Sequence, residues 1–450
     1  MAFKTTAKPE FFNWTKKDFQ LKETTYAPRL HIFGQQGLIN DPNCIFYLNN
    51  QLHIFFQHHP AACKHGLKTM SLATIKANEP TIEYQFLVNK PEENFESHGT
   101  YSGNALVIEE SVFCFYTGNA RNENNQRTSS VVIAKFDQQE QSIKQKKALF
   151  NQHDYPDYTE HFRDPFAFEF AGSHWLLLGA QRKVDLQGVI LLFQFNWAQQ
   201  EAILVKEINL NNSYRMIECP NIAFVDQKAI LFYSPQLKPE KTEAGINPDQ
   251  TRYCIINDFA DFIQSQQFKH HFDQEMIIDY GLEFYAPQVF LINKEPYLIA
   301  WSGIPTSLTY PESQYGWIFL LTMIKKITFK DQLVVLEEAP YLKTLYQEQN
   351  LPLVSYQKQV LQTNEVLFFK DIKGLKLKLQ LNETDLVIKR FDDQTYYPYD
   401  SETRIALNQT IAILETYLDH SIIEIKINGC FWYTARIYPE LEYQWIKEGV

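Results

Sequence analysis

One pattern constrains the fold of this chain more than any other: an apolar run, a short polar turn and a second apolar run recur five times at a nearly constant interval. The units are Ile45–Leu48 with Leu52–Phe56, Ala105–Ile108 with Val112–Tyr116, Phe166–Phe170 with Trp175–Leu178, Ile222–Val225 with Ile230–Tyr233, and Val289–Ile292 with Tyr297–Trp301. They begin at 45, 105, 166, 222 and 289, so the spacings are 60, 61, 56 and 67 residues. Short apolar runs bounded by turn residues read as β-hairpins. The expected turns are Asn49-Asn50, Glu109–Ser111, Ala171–Ser173, Asp226–Lys228 and Asn293–Pro296. Each period is long enough for four short strands, which points to radial repetition of small sheets, a five-bladed β-propeller. An irregular β-sandwich is the competing arrangement of the same strands.

Composition agrees with an all-β chain. Its 34 Phe, 25 Tyr and 7 Trp bring aromatics to 15% of 450 residues, and aromatic side chains favour strands. Past about residue 330 the repeat stops and alternating strands take over, as in Leu375–Leu381 and Ile423–Ile427. One buried and one solvated face implies a β-sandwich. The expected domains are therefore residues 1–330, a catalytic propeller, and 331–450, a C-terminal sandwich, with the boundary between 325 and 345.

The segments that precede the hairpins are polar: Asn40-Asp41-Pro42-Asn43, Tyr101-Ser102-Gly103-Asn104, Arg163-Asp164-Pro165, Glu218-Cys219-Pro220-Asn221 and Tyr285-Ala286-Pro287-Gln288. In a propeller the first strand of every blade lines the central channel, so these segments meet at one mouth. Proline suits a strand's first residue, where no ladder donor is required. Asp41, Asp164 and Glu218 thus stand at matched positions in three repeats and are expected to converge.

Two or three carboxyls around an open pocket are what glycoside hydrolysis needs, one protonating the leaving oxygen and another attacking the anomeric carbon or activating water. Other chemistries have no support: G-x-S-x-G, G-x-G-x-x-G and G-x-x-x-x-G-K-[ST] are all absent. His58, His59, Cys63 and His65, and separately His270 and His271, match no metal-ligand spacing and read as surface or pocket-rim residues. No metal and no cofactor is expected. Six scattered cysteines without a C-x-x-C pair suit reduced thiols. With 42 basic against 53 acidic residues the net charge is −11, which argues against nucleic acid but leaves room for a small anion on a local basic patch. No apolar run approaches the roughly 18 residues of a membrane span, and the N-terminus has no apolar signal core, so no membrane partner and a cytoplasmic location are expected.

Taken together, the polar segments resemble motifs of the β-fructosidases of glycoside hydrolase family 32. Gly37–Asn43 is similar to the family's W-M-N-D-P-N-G, Phe115–Asn119 to F-Y-T-G-N, His161–Pro165 to F-R-D-P, Met216–Pro220 to W-E-C-P, and Phe284–Gln288 to F-Y-A-P-Q. Tyr310-Pro311 with Gly316-Trp317, and in the C-terminal part Asp419–Ser421, Glu424-Ile425, Asn428-Gly429, Thr434–Arg436 and Tyr438-Pro439, continue the resemblance over nearly the whole chain. It implies a five-bladed propeller followed by a sandwich, and a retaining mechanism on a β-fructofuranosyl unit. It further implies Asp41 as nucleophile, Glu218 as general acid/base and Asp164 as stabiliser of fructosyl hydroxyls, with Asn40, Gln57, Tyr101, Ser102, Arg163, Tyr285 and Trp301 lining the sugar pocket. Glu218 is expected to be partly protonated through burial and its acidic neighbours, and Arg163 to keep Asp164 ionised.

The expected partner is a small sugar, sucrose 6-phosphate or sucrose; a short fructan, or a propeller that binds carbohydrate with little turnover, are the alternatives. No oligomeric state follows from the sequence. Where the family has W-G-x-x-x-W-G-H, this chain has His65–Leu72. Lys64, His65 and Lys68 there are either drift on a solvated loop or a group that holds an anion on the leaving sugar.

Overall fold

The computed structural model describes residues 9–19, 21, 24–76, 79–238, 250–265, 275–305, 310–339, 345–347, 351–391 and 402–449. The fold is all-β; among the described residues α-helix is confined to Phe259–Gln264 and residues 345–347. Five successive antiparallel sheets take up the first three quarters of the chain. Their first two strands are Gly37–Leu48 and Gln51–His59, Thr100–Ile108 and Ser111–Arg121, Tyr158–Phe170 and Ser173–Arg182, Tyr214–Val225 and Lys228–Leu237, and Tyr285–Ile292 and Glu295–Ser302.

All five expected hairpins are present, but four of the turns are shorter than the sequence suggests. Ser111, Ser173, Lys228, Glu295 and Pro296 pair within strands, which leaves two-residue turns. Both turn residues have left-handed φ in every case: Asn49 and Asn50, Glu109 and Glu110, Ala171 and Gly172, Asp226 and Gln227, Asn293 and Lys294. That conformation matches the right-handed twist of the flanking strands, so it is kept even where Glu, Ala or Lys must adopt it.

Four core clusters join each of the five sheets to the next. Phe46, Phe55 and Leu72 pack with Val112, Tyr116 and Val132; Phe115 and Val131 with Leu176, Leu178 and Leu191; Phe166, Leu177 and Ile190 with Ile222, Leu231, Val289 and Leu298. The cycle closes, because Phe290, Ile299 and Trp301 pack with Ile39, Ile54 and Phe56. Sheets covered on both faces explain near-continuous apolar runs such as Val189–Phe193, in which every residue is fully buried. The first strands likewise form a ring, Tyr285–Ile292 lying against Gly37–Leu48. Trp317–Ile318, from the chain beyond the fifth hairpin, pairs in parallel with Gly37 and Leu38 and ties the ring shut.

Two more sheets follow, one ordered Val354–Gln362, Ile411–Asp419, Ile422–Ile427, Phe431–Arg436, the other Glu402–Ala406, Asp385–Arg390, Gly374–Leu381, Glu365–Asp371, Tyr443–Gly449. Leu377, Leu379, Leu381, Ile388, Ile423, Ile425 and Ile427 share one core between them. The second face of Ile423–Ile427 is not solvated as its alternation suggests: Glu424 is fully buried. This face packs on the five-sheet ring, where Glu424 receives Lys325 Nζ, the Met323 N–H at 2.6 Å and His31 Nε2 at 3.1 Å. None of the six cysteines is in a disulfide. Among the described residues no helix is long and apolar enough to cross a membrane.

Candidate active site

The five polar segments are interrupted ladders. Each first strand carries one extra residue against its partner at the same place: Ile39–Pro42, Tyr101–Gly103, Arg163–Phe166, Glu218–Asn221 and Tyr285–Gln288. A β-bulge breaks the strict up-down alternation and re-aims side chains. Both Asn40 and Asp41, Tyr101 and Ser102, Arg163 and Asp164, and Glu218 and Cys219 therefore face one cavity of about 220 Å³. Asp164, Cys219 and Ala286, each preceding a proline, hold left-handed φ of 63°, 47° and 48°. Such strain in non-glycine residues persists only where the surroundings over-determine it.

This geometry corrects the alignment of the acids. Asp41 and Asp164 occupy the same position, directly before proline, whereas Glu218 stands one residue earlier, level with Arg163 and Tyr285. The bulge brings it to the cavity all the same. Every residue expected as a catalytic acid or as part of the sugar pocket, Asn40, Asp41, Gln57, Tyr101, Ser102, Arg163, Asp164, Glu218, Tyr285 and Trp301, lines that cavity.

Asp41 is surrounded by donors. Its carboxylate accepts from Asn40 Nδ2 at 3.0 Å, from Gln57 Nε2 at 3.1 Å and from Ser102 Oγ. Burial still pushes its pKa above the usual range, helped by Glu218 and opposed by Ser102, Asn40 and Lys68. Asp164 lies deeper, 6% exposed, and accepts the Cys219 N–H at 3.1 Å. Burial raises it to about 7, with Glu218 and Asp41 adding to the effect and Arg163 opposing it. Arg163 therefore does not keep Asp164 in the ordinary carboxylate range, contrary to the expectation from their adjacency.

The guanidinium turns instead to Glu218, donating to Oε1 from Nη2, while its Nε stays 3.8 Å from Asp164. Tyr285 OH at 2.5 Å and Gln236 Nε2 at 2.6 Å donate to Oε2. Burial pushes Glu218 up, but Arg163, Tyr285 and Gln236 outweigh it and hold the pKa below its ordinary value. Glu218 is thus held on the ionised side rather than partly protonated, while Asp41 and Asp164 are both pushed towards their protonated forms, so the three titrate as a coupled set.

The histidine cluster disperses. His58 is fully buried between Ser71 Oγ at 2.8 Å and Gln36 O at 2.7 Å, and burial depresses it to about 3, so it is a core residue rather than a rim one. His59 bonds Leu67 O at 3.0 Å, and only His65 lines the cavity. His270 and His271 lie outside the described residues. Among the described residues no three His, Cys, Asp or Glu side chains are grouped to hold a metal ion. Of the cations in the replaced segment, Lys64 is exposed and outside the cavity. Lys68 is 4% exposed and its Nζ donates to Asn40 Oδ1 at 2.6 Å, so it braces the wall beside Asp41 instead of sitting on a solvated loop.

Cavity residues the sequence did not single out are Gly66, Arg127, Cys219, Gln236 and Pro305. Gln236 had a legible signal, since it stands near the end of an apolar second strand as Gln57 does in the first sheet. Arg127, at the start of the strand Arg127–Asp137, had none.

The Glycosyl hydrolases family 32 N-terminal domain matches residues 31–340. The chain is 31% identical over 434 residues to a sucrose-6-phosphate hydrolase of Lactococcus lactis, covering 90% of this chain and 87% of that one. It is 28% identical over 460 residues to one from Streptococcus mutans, covering 95% and 92%. Among solved structures, a sucrose-6-phosphate hydrolase from Lactobacillus gasseri superposes with a TM-score of 0.80 at 23% identity, covering 98% of both chains. A Bombyx mori beta-fructofuranosidase in complex with sucrose superposes with a TM-score of 0.73 at 19% identity, covering 96% and 92%.

Proposed function

The chain belongs to glycosyl hydrolase family 32, and from that premise we propose that it is a retaining glycosidase that hydrolyses the β-fructofuranosyl bond of sucrose 6-phosphate, with sucrose as a slower substrate. The observation that carries this is the convergence of two half-buried carboxylates, Asp41 and Glu218, on one cavity, with the buried Asp164 beside them.

In this reading Asp41 attacks C2 of the fructosyl unit, forming an ester, and Glu218 delivers a proton to the departing glucosyl oxygen. Water then cleaves the ester, with Glu218 taking its proton. The donors around Asp41 are those an anion needs, and they hold its oxygens for in-line attack. Glu218 acquires its proton when the sugar displaces cavity water, because desolvation favours the neutral acid while Tyr285 and Gln236 keep the side chain in place. Asp164, with its raised pKa, accepts or donates to fructosyl hydroxyls according to its protonation. Trp301, whose ring meets that of Tyr285 edge to face, forms a further wall of the sugar pocket.

The closed ring of five sheets supports a five-bladed propeller, and the shared core of the last two sheets supports a β-sandwich. The fifth sheet's outer strand, Leu333–Glu338, pairs with Lys325–Lys330, which favours a domain division just past Glu338, inside the expected 325–345 window. Fructose release by the purified chain from sucrose 6-phosphate, sucrose and 1-kestose tests the function. The reading expects the highest kcat/KM on the phosphorylated sugar and near-complete loss in Asp41→Asn; sugar binding without release by the parent overturns it in favour of a binding module.

A further inference from the structure

The cavity contains a cation that the reaction does not use. Its three acids share the cavity with three basic side chains, Lys68, Arg127 and Arg163, inside a chain of net charge −11. Two of the cations are committed: Lys68 to Asn40, Arg163 to Glu218 and Asp164. Arg127 differs. Its Nε donates to Asn119 Oδ1 at 2.8 Å and its guanidinium carbon lies 5.1 Å from the centroid of the Tyr101 ring, contacts that fix the head without neutralising it. Its Nη2 is buried with no hydrogen-bond partner among the described residues. Burial of a guanidinium N–H without an acceptor is unfavourable and is relieved when an acceptor arrives.

Position says which part of the substrate could supply that acceptor. Asp41, Asp164 and Glu218 sit on the first strands, which form the inner ring. Arg127 opens the third strand of the second sheet and reaches the cavity from its periphery. With the fructosyl unit seated between Asp41 and Asp164, the glucosyl group projects outward, towards that periphery. A planar guanidinium with a free edge matches phosphate oxygens.

We propose that Arg127 binds the 6-phosphate of the glucosyl leaving group and sets the preference for phosphorylated sucrose. The assignment rests on the β-fructosidase reading above. It replaces the sequence-based candidates Lys64, which is outside the cavity, and Lys68, which is 4% exposed, bonded to Asn40 beside Asp41 and pushed down by burial to about 7, so that it is a far weaker cation than Arg127. Burial and the neighbouring Arg163 depress the pKa of Arg127 only to about 10, so the guanidinium is still cationic at neutral pH when a dianion arrives.

The test is the ratio of kcat/KM for sucrose 6-phosphate to that for sucrose, with the inhibition constants of glucose 6-phosphate and glucose as an independent binding readout. Arg127→Ala should lower the ratio roughly ten-fold or more, the scale of one charge-assisted contact, and weaken glucose 6-phosphate but not glucose. Arg127→Gln, which keeps a flat head against Tyr101, should do the same, so an insoluble alanine variant does not block the test; Arg127→Lys should recover part of the preference. Lys64→Ala should leave the ratio unchanged. An unchanged ratio in the Arg127 variants, or a fall in Lys64→Ala, overturns the assignment. A parent that splits both sugars without preference overturns it while leaving the β-fructosidase reading intact; a parent that splits neither overturns both.

Discussion

Replacing Arg163 by methionine removes one positive charge from among three carboxylates and leaves a side chain of similar length. At 3.8 Å, in a partly solvated site of effective dielectric ~20, a unit charge contributes about 4 kcal/mol to a carboxylate, or about three pKa units. The contact to Glu218 is closer still. Cavity water and the remaining Lys68 and Arg127 screen part of this, so Glu218 should rise by roughly one to two units. Arg163→Met should therefore move the descending limb of the kcat/KM–pH profile, which marks loss of the acid's proton, at least about one unit to higher pH, on a much lower plateau. Stability gives a second readout. Glu218 is held below its ordinary pKa, so its contribution is present above about pH 4.5 and is lost as pH falls through the folded value. Stranding the acids costs about 3–5 kcal/mol, and the deficit should be larger at pH 8 than at pH 4.5 in urea unfolding. A descending limb that stays put or moves to lower pH, or a deficit that does not depend on pH, refutes the assignment of Arg163 to Glu218.

The raised Asp164, at about 7 against an ordinary 3.8, penalises the folded chain as pH rises through that interval. Asp164→Asn should accordingly raise the melting temperature more at pH 8 than at pH 5 while lowering kcat/KM at least roughly a hundred-fold; equal shifts at both pH values count against the raised pKa. His31 joins Asp419 at 2.7 Å and Glu424 at 3.1 Å; burial works against its charge, but these two acids win and raise it to about 9. Its contribution is complete below pH 6.5 and lost as pH rises through 9, so His31→Gln should cost about 3–5 kcal/mol at pH 6 and clearly less at pH 9.5. Glu218→Gln should lose much less kcat/KM on an aryl fructoside than on sucrose, because kcat/KM reports ester formation and a good leaving group needs little protonation; equal loss on both contradicts the acid/base role.

The five hairpins are legible in the sequence because sheets covered on both faces produce unbroken apolar runs that stand out against polar turns. Turn length is not legible at Glu109-Glu110 or Asn293-Lys294, where strand twist imposes left-handed φ on Glu109, Glu110 and Lys294, residue types without that preference. Alternation alone would send only one of Asn40 and Asp41, or of Arg163 and Asp164, to the cavity. The bulges that admit both are visible only in the paired register. Adjacency suggests Arg163 as the partner of Asp164, yet the folded chain brings Glu218, 55 residues on, into its reach. Glu424 reads as a solvent-facing strand residue because the Lys325 that accounts for its burial is 99 residues away. Arg127 carries no spacing at all, and only its position at the rim of the cavity gives it meaning.

The central claim is that the fructosyl group passes through an ester on Asp41. Incubating Glu218→Gln with an aryl β-fructofuranoside should form this ester and slow its hydrolysis, since the base that activates water is gone. Peptide mass spectrometry after an acid quench should then find one added fructosyl residue on the fragment containing Asp41, and none on that fragment in Glu218→Gln/Asp41→Asn. A fructosyl adduct on another residue, or no adduct together with product released in the inverted configuration, contradicts the account.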